Sequence, residues 1–311
     1  VPEEEELAAF LTEKETLLTI GVFDGVHLGH QRLISELVKQ AARKHLLSGV
    51  VTFRQHPEDI LSPGKTLPFL TDIKTRTKLL RDEGVDFIVP LSFTVRLAEL
   101  GARQFIGLLQ KHLKMRGLVI GPDFALGKQR EGNIDALRKL GKEMGFTLTI
   151  LPPLDINGEI VSSTTIRKAM ADGDMNKVRE LTGRYFSLYG KVVIGAGRGE
   201  SLGFPTANLD INSGQALPPD GVYAGLARVN GKVYQSMTNI GRNPTFGNTK
   251  RTVETFLLDY SGDLYGRELS VEFVARLRDE KKFKNADDLK KQLAEDIRQG
   301  RIILDASGVA K

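Results

Sequence analysis

The hydrophobic period of this chain changes once, near residue 185, and that change constrains the fold more than any single motif. Before it, short apolar and β-branched runs at 17–23, 49–53, 85–91, 117–120 and 146–151 alternate with helical faces. The faces are read from Leu33, Ile34, Leu37, Val38 and Ala41, from Phe105, Leu109 and Leu113, and from Leu137, Leu140 and Met144. Strands separated by helices specify βαβ units and a parallel sheet, whose ligands sit beyond the carboxyl ends of the strands. After residue 185 the strand-like runs LYGKVVIG, GVYAGLARV, KVYQSMTNIG, TVETFLLDY and ELSVEFVARL follow with little helix between them. Asn230-Gly231 between two of these runs is a type I′ hairpin signal. Asn285 stands where it can N-cap a last helix with Leu289, Leu293, Ile297 and Leu304 on its apolar face. The expectation is an α/β domain over 1–184, then a small antiparallel barrel or sandwich with a terminal helix over 185–311.

A length of 311 residues suits two such domains. The chain has no cysteine, which excludes disulfides and thiolate metal sites and fits a reducing compartment. Its net charge of +5 comes from 44 basic and 39 acidic residues that are interspersed, not gathered into a nucleic-acid-binding block. A phosphate-rich small ligand explains mild basicity equally well. No apolar run approaches the roughly 18 residues of a membrane helix. The acidic start, VPEEEELAAFL, lacks the basic and apolar regions of a signal peptide. A cytoplasmic protein with no membrane or nucleic-acid partner is expected.

The first motif, GVFDGVHLGHQRL at 21–33, lies where the first strand gives way to a helix. Unpaired N–H groups and a positive dipole end suit phosphate oxygens there, and Gly21, Gly25 and Gly29 let the backbone approach a ligand. His27 and His30 can donate hydrogen bonds to a phosphorus centre as negative charge builds. A metal would need further ligands, and none stands at a recognisable spacing. In VSSTTIRKAM, at 161–170, Ser162, Ser163 and Thr164 read as helix caps that, with Arg167, also make a phosphate grip. In the second half, GAGRGESLGFPTANL at 195–209 is neither a Walker A loop nor G-x-G-x-x-G. Its Pro205-Thr206-Ala207-Asn208 stretch reads as a rigid turn presenting a hydroxyl and an amide to a hydrated Mg²⁺ and a nucleotide.

The first two clusters, with VVTFRQHPEDIL and GPDFALGKQREGN, resemble the nucleotidyltransferase superfamily and, within it, the adenylyltransferase module of prokaryotic FAD synthetases. The glycine-rich segment, with PDGVYAG, TNIGRNPTFG, VETFLLDYSGDLYG and RLRDEKKF, resembles riboflavin kinase. Together they imply a Rossmann-like nucleotidyltransferase domain followed by a mainly antiparallel kinase barrel. They also imply a bifunctional enzyme that phosphorylates riboflavin to FMN and then adenylylates FMN to FAD, with ATP and Mg²⁺. The resemblance makes His27, His30, Arg167 and Glu254 the catalytic groups, with Glu254 as the base for the riboflavin hydroxyl. It assigns ATP to Gly21, Phe23, Asp24, Gly29, Ser163 and Thr164 in the first site, and to Gly197, Gly199, Gly203, Thr206 and Asn208 in the second. Thr206 and Asn208 would also hold the metal, and His56, Asp123, Phe124, Gly127 and Arg278 would face flavin. The chain departs from the family pattern at Arg54 and Gln55, at Leu126 where an aromatic is usual, and at Phe256 where histidine is common. The first three departures leave a second reading, a riboflavin kinase whose adenylyltransferase module is degenerate and inactive.

Overall fold

A computed structural model describes residues 2–10, 12–62, 64, 67–195, 199, 203–242 and 251–308. The chain divides into two compact units, Val1–Ser163 and Thr164–Lys311. The first unit runs α1 (Pro2–Ala8), β1 (Thr16–Ile20), α2 (Leu28–Arg43), β2 (Leu47–Phe53), α3 (Pro57–Leu61), α4 (Ile73–Asp82) and β3 (Phe87–Leu91). It continues through α5 (Val95–Glu99), α6 (Ala102–Leu113), β4 (Met115–Ile120), α7 (Ile134–Met144), β5 (Thr147–Ile150) and a two-stranded ribbon of β6 (Asp155–Ile156) and β7 (Glu159–Ile160).

The five long strands form one parallel sheet in the order β3-β2-β1-β4-β5. Successive side chains point to opposite faces, so β1 sends Leu18 and Ile20 to one core and Leu17 to another. The first core is completed by Phe105, Ile106, Leu109 and Leu113 of α6, the second by Ile34, Leu37 and Ala41 of α2. With helices on both faces, strands buried on both sides read as continuous apolar runs, as the sequence shows. The order reverses between β1 and β4, which makes the crevice outside their carboxyl ends the ligand position of such a sheet. The run expected to be strand through residue 23 stops at Ile20. Phe23 (φ 52°), Gly25 (φ 78°) and Val26 (φ 36°) turn the chain into left-handed backbone that no strand accommodates.

The second unit begins within α8 (Ser163–Ala171) and continues with α9 (Met175–Thr182), β8 (Phe186–Val193), β9 (Ala207–Asp210), β10 (Gly221–Val229), β11 (Lys232–Arg242), β12 (Arg251–Leu257), β13 (Glu268–Arg278) and α10 (Ala286–Ala306). Its six strands close a barrel, β10-β11-β12-β9-β8-β13, in which every pairing is antiparallel. Closure removes the sheet edges, and the inner faces of Phe186, Tyr223 and Phe273 meet as an aromatic core. Asn230 (φ 50°) and Gly231 (φ 77°) form the expected tight turn, with Val229 opposite Lys232. The stretch expected to be a rigid turn at 205–208 instead runs into β9; four residues carry little periodicity, and pairing with β8 and β12 makes them extended. Asn285 caps α10 by accepting from the Asp288 N–H at 2.8 Å. That cap contributes about 1 kcal/mol. Burial of Leu304 against Ala224, Leu226 and Met237 contributes about 1.5–3 kcal/mol for the one side chain, so packing rather than capping fixes α10.

The packing boundary at 163/164 lies N-terminal to the boundary expected at 184/185. The reason is α9, whose Val178 and Leu181 are fully buried in the second unit, where the helix packs against β8 and β13.

Candidate functional site

At the carboxyl end of β1 the turn over residues 21–27 is held in strained backbone. A bulky or β-branched residue at positive φ costs about 1–3 kcal/mol, and Phe23 and Val26 both adopt it. The surroundings compensate. The Asp24 carboxylate, 2 % exposed, accepts from the N–H groups of Leu70 (3.0 Å) and Thr71 (3.1 Å), and the Gly25 N–H donates to the Thr71 hydroxyl (3.1 Å). Val22 O accepts from the Thr52 hydroxyl (3.0 Å) and from Arg76 Nη1 (2.8 Å). Arg76 is fully buried, and this desolvation lowers its pKa to about 10, with the charges of Asp24 and Asp72 acting in the opposite sense.

His27 follows the turn as the N-cap of α2, its Nδ1 accepting from the His30 N–H at 3.3 Å. A neutral His27 bonded this way carries its proton on Nε2 and is a donor there. The His30 ring stacks on it at 3.6 Å between centroids, and Phe23 meets His30 edge-on at 5.1 Å. A side chain at Gly29 would come within 3.1 Å of the His27 ring, and one at Gly21 within 3.2 Å of Phe23. These glycines therefore let the turn's own rings settle. Ser163 at the start of α8 donates from its hydroxyl to Asp24 O at 2.9 Å. Arg167 stands one helical turn further along α8, and Thr164 is exposed beside Ser163.

The residues expected toward flavin follow the carboxyl ends of β2 and β4. His56 N-caps α3, accepting from the Glu58 N–H at 3.3 Å, and its ring lies 5.8 Å from Phe69. Beyond β4, Asp123 is exposed and its carbonyl accepts from Arg130, Phe124 packs half-buried on the core, and Gly127 takes φ 78°. The departures from the family pattern have structural occupations. Leu126 is 8 % exposed and belongs to the core. Arg54 lies 3.6 Å from Glu6 of α1, and Gln55 accepts from the Phe93 N–H at 3.3 Å.

In the barrel, a cavity of about 520 Å³ gathers Gly199, Thr206, Asn208, Glu254 and Arg278 on its wall. Register explains the convergence: Glu254 on β12 stands between Asn208 on β9 and Asn239 on β11. Phe256, two residues on and therefore on the same face, also lines the cavity and meets Phe204 edge-on at 5.7 Å. Leu289, Leu293 and Ile297 of α10 add apolar side chains to the wall. A side chain at Gly199 would sit 2.3 Å from the Phe204 carbonyl, backbone that cannot give way, so that position needs glycine; one at Gly195 would sit 2.0 Å from the Asn208 amide and could be admitted only by displacing it. Gly203 takes φ 84° and is not on the cavity wall. Gly197 lies outside the described residues.

Arg278, expected to face flavin, is held by α10 in a contact that the sequence around it does not announce. Its guanidinium makes a two-pronged pair with Asp296 of α10 (Nη2 to Oδ2 2.6 Å, Nε to Oδ1 2.8 Å), while Gln292 donates to the same carboxylate. Asp296 is 2 % exposed. The signal was present, since an aspartate beside Leu293 and Ile297 on an apolar helix face needs a buried partner.

Thr206 and Asn208 offer oxygen donors beside the Glu254 carboxylate. Among the described residues no group of three or more His, Asp and Glu side chains gathers to cage a metal. That donor set fits Mg²⁺, which takes few protein ligands and completes its shell with phosphates and water.

Residues 10–165 match the FAD synthetase family and residues 182–304 the riboflavin kinase family. The chain is 37 % identical over 285 residues to the bifunctional riboflavin kinase/FMN adenylyltransferase of Escherichia coli strain K12, covering 90 % of each. It is 33 % identical over 292 residues to the protein of that name from Listeria monocytogenes, covering 93 % of each. A crystal structure titled a macrolide-efflux protein from Streptococcus pneumoniae superposes with a TM-score of 0.88 at 29 % identity over 97 % of both chains. Among the described residues of the present chain, no helix is long and apolar enough to cross a membrane.

Proposed function

The chain belongs to the bifunctional riboflavin kinase/FMN adenylyltransferase family, and from this premise we propose how its two sites divide the chemistry. It uses ATP to phosphorylate riboflavin to FMN, and then transfers AMP from a second ATP to FMN, giving FAD and pyrophosphate. Both family matches are present and the relatives are bifunctional, so the reading with a degenerate first module is set aside. The burial of Leu126 supports this, because that departure changes core packing.

Phosphorylation is assigned to residues 185–311. The observation that carries it is the meeting of Thr206, Asn208, Glu254 and Gly199 on one cavity wall, with an apolar side able to take a flavin ring. Glu254 accepts the proton of the primary ribityl hydroxyl as that oxygen bonds the γ-phosphorus and the bond to ADP breaks. Thr206 and Asn208 would hold Mg²⁺, which supplies charge neutralisation of the phosphates. Gly195 leaves room for the Asn208 amide, and Arg278 ties α10 to the barrel through Asp296. Glycines 197, 199 and 203 are assigned to the nucleotide.

Adenylyl transfer is assigned to residues 1–184. A phosphate oxygen of FMN bonds the α-phosphorus of ATP, and pyrophosphate leaves. His27, a donor at Nε2, and His30 stabilise charge on the α-phosphate without a covalent intermediate. Ser163, Thr164 and Arg167 are assigned to the β- and γ-phosphates, with backbone groups of the turn from Gly21 to Gly29 around the nucleotide. Phe23 and Asp24 serve from within, as ring support and brace. His56, Asp123, Phe124 and Gly127 are assigned to FMN. A cytoplasmic location goes with substrates such as ATP.

The test is a time course of products from riboflavin and excess ATP–Mg²⁺, resolved by chromatography. FMN rising first and FAD following is expected; FMN accumulating with no FAD would overturn the second assignment.

A further inference from the structure

Among the described residues the largest fully buried side chain is Arg76, on α4, and its hydrogen bonds go to the ends of two strands. Nη1 donates to Val22 O just beyond β1 at 2.8 Å, and Nη2 donates to Phe53 O, the last residue of β2, at 2.9 Å. The first carbonyl precedes the strained turn that leads to His27 and His30. The second precedes the segment Arg54-Gln55-His56. The guanidinium carbon sits 4.7 Å over the ring of Phe69, and that ring lies 5.8 Å from His56. Between Phe69 and Arg76, Leu70 and Thr71 grip the Asp24 carboxylate and the Gly25 N–H.

A guanidinium is an expensive way to fill a core. An apolar side chain of similar volume would pack there without desolvating a charge. What the apolar side chain lacks is a planar fork that spans two carbonyls on neighbouring strands, and a lysine ammonium, a point charge on a flexible stem, lacks it too. At the carboxyl ends of these parallel strands Phe53 O takes its donor from Arg76, and Val22 O shares Arg76 with the Thr52 hydroxyl, so the guanidinium ties both strand ends to one rigid group.

We propose that Arg76 is a positioning residue for adenylyl transfer, fixing the separation between the histidine turn after β1 and the His56 segment after β2. This deepens the reading of the first unit as the FMN adenylyltransferase and rests on it. Arg76 touches neither nucleotide nor flavin. It acts through Val22 and Phe53, so its loss misplaces His27 and His30 relative to the attacking phosphate without removing a contact to either substrate.

The test uses the full chain with Arg76→Lys, Arg76→Met and the milder Phe69→Leu, which removes the ring beneath the guanidinium. Adenylylation of supplied FMN, phosphorylation of riboflavin and the ¹H–¹⁵N ring resonances of the histidines are measured on each. A displacement near 1 Å at a reacting group costs about 10²-fold. For Arg76→Lys, kcat for FAD formation is therefore expected to fall about 10- to 100-fold, with KM for ATP and FMN within about threefold. Riboflavin phosphorylation stays at the wild-type rate. The His27 and His30 resonances shift, and those of His45 and His112 do not. Phe69→Leu shows the same pattern, smaller. Wild-type kcat in Arg76→Lys would overturn the proposal by showing that charge alone suffices. So would a fall in both reactions together, or a fall in kcat with unmoved His27 and His30 resonances. If the wild-type protein itself makes no FAD from FMN, the adenylyltransferase reading fails instead, and the proposal falls with it.

Discussion

Replacing Gly195 with alanine probes how closely the kinase cavity is built. Gly195 is outside the left-handed region, so alanine meets no backbone penalty there, and its methyl group is the whole perturbation. That carbon would lie 2.0 Å from Asn208 Nδ2 and 2.4 Å from its Cγ. To restore an ordinary contact of 3.4 Å the amide must retreat about 1.4 Å. Because the displaced atoms end a short flexible side chain, the stability cost is about 1 kcal/mol. The functional cost is larger. An amide assigned to the metal and phosphates, moved by more than 1 Å, loses about 10²-fold in rate. Steady-state FMN formation from riboflavin is expected to fall by about that factor, while FAD formation from supplied FMN stays unchanged and the unfolding midpoint moves only slightly. A kinase rate within about twofold of wild type would refute the placement of Asn208 in the reaction.

Three further outcomes follow from other contacts. Asp296→Asn leaves the half-buried Arg278 guanidinium with no ionic partner, so urea unfolding of the second unit should come earlier by about 1.5–3 kcal/mol; a loss well below about 1 kcal/mol would show that the pair does not fasten α10. The hydrogen bonds from Lys111 and then His112 hold the Glu4 carboxyl down at about 2. Because the folded value is the lower one, this contribution is complete above the unfolded value near 4.5 and disappears as pH falls toward 2. Thermal unfolding of wild type and Glu4→Gln should therefore differ, modestly, at pH 7 and coincide near pH 2, and a difference that persists at pH 2 would contradict this. His30→Ala should lower FAD formation from FMN by about 10²–10³-fold, in the manner of a lost oxyanion donor, with riboflavin phosphorylation intact; an unchanged rate of adenylylation would remove His30 from the catalytic turn.

What the sequence discloses depends on how local the cause is. Residues 221–229 form a strand, Asn230-Gly231 a turn and Asn285 a cap because period, turn chemistry and capping act within a few residues. The meeting of Asn208 and Glu254 follows from motifs that stand on neighbouring strands, with Thr206 just before β9. β9 is hidden, since its extended state comes from β8 and β12 on either side. Asp24 reads as a ligand-facing carboxylate until Leu70 and Thr71, more than forty residues away, supply the N–H groups that turn it inward. Arg76 lies in KTRTKLL, which resembles any polar helix surface, and only the sheet's geometry brings the carbonyls of Val22 and Phe53 to it. Leu126 shows the reverse case: it stands where an aromatic is usual in a motif assigned to flavin, and packing places it in the core.

One chain carrying two separable reactions in series can be tested by complementation between two variants. Glu254→Gln alone should convert FMN but not riboflavin, and His27→Ala alone should stop at FMN. Mixed in one vessel with riboflavin and ATP–Mg²⁺, the two folded variants are predicted to produce FAD, because FMN released by the His27→Ala protein is adenylylated by the Glu254→Gln protein. Loss of both reactions in either single variant, with no FAD from the mixture, would contradict two independent sites.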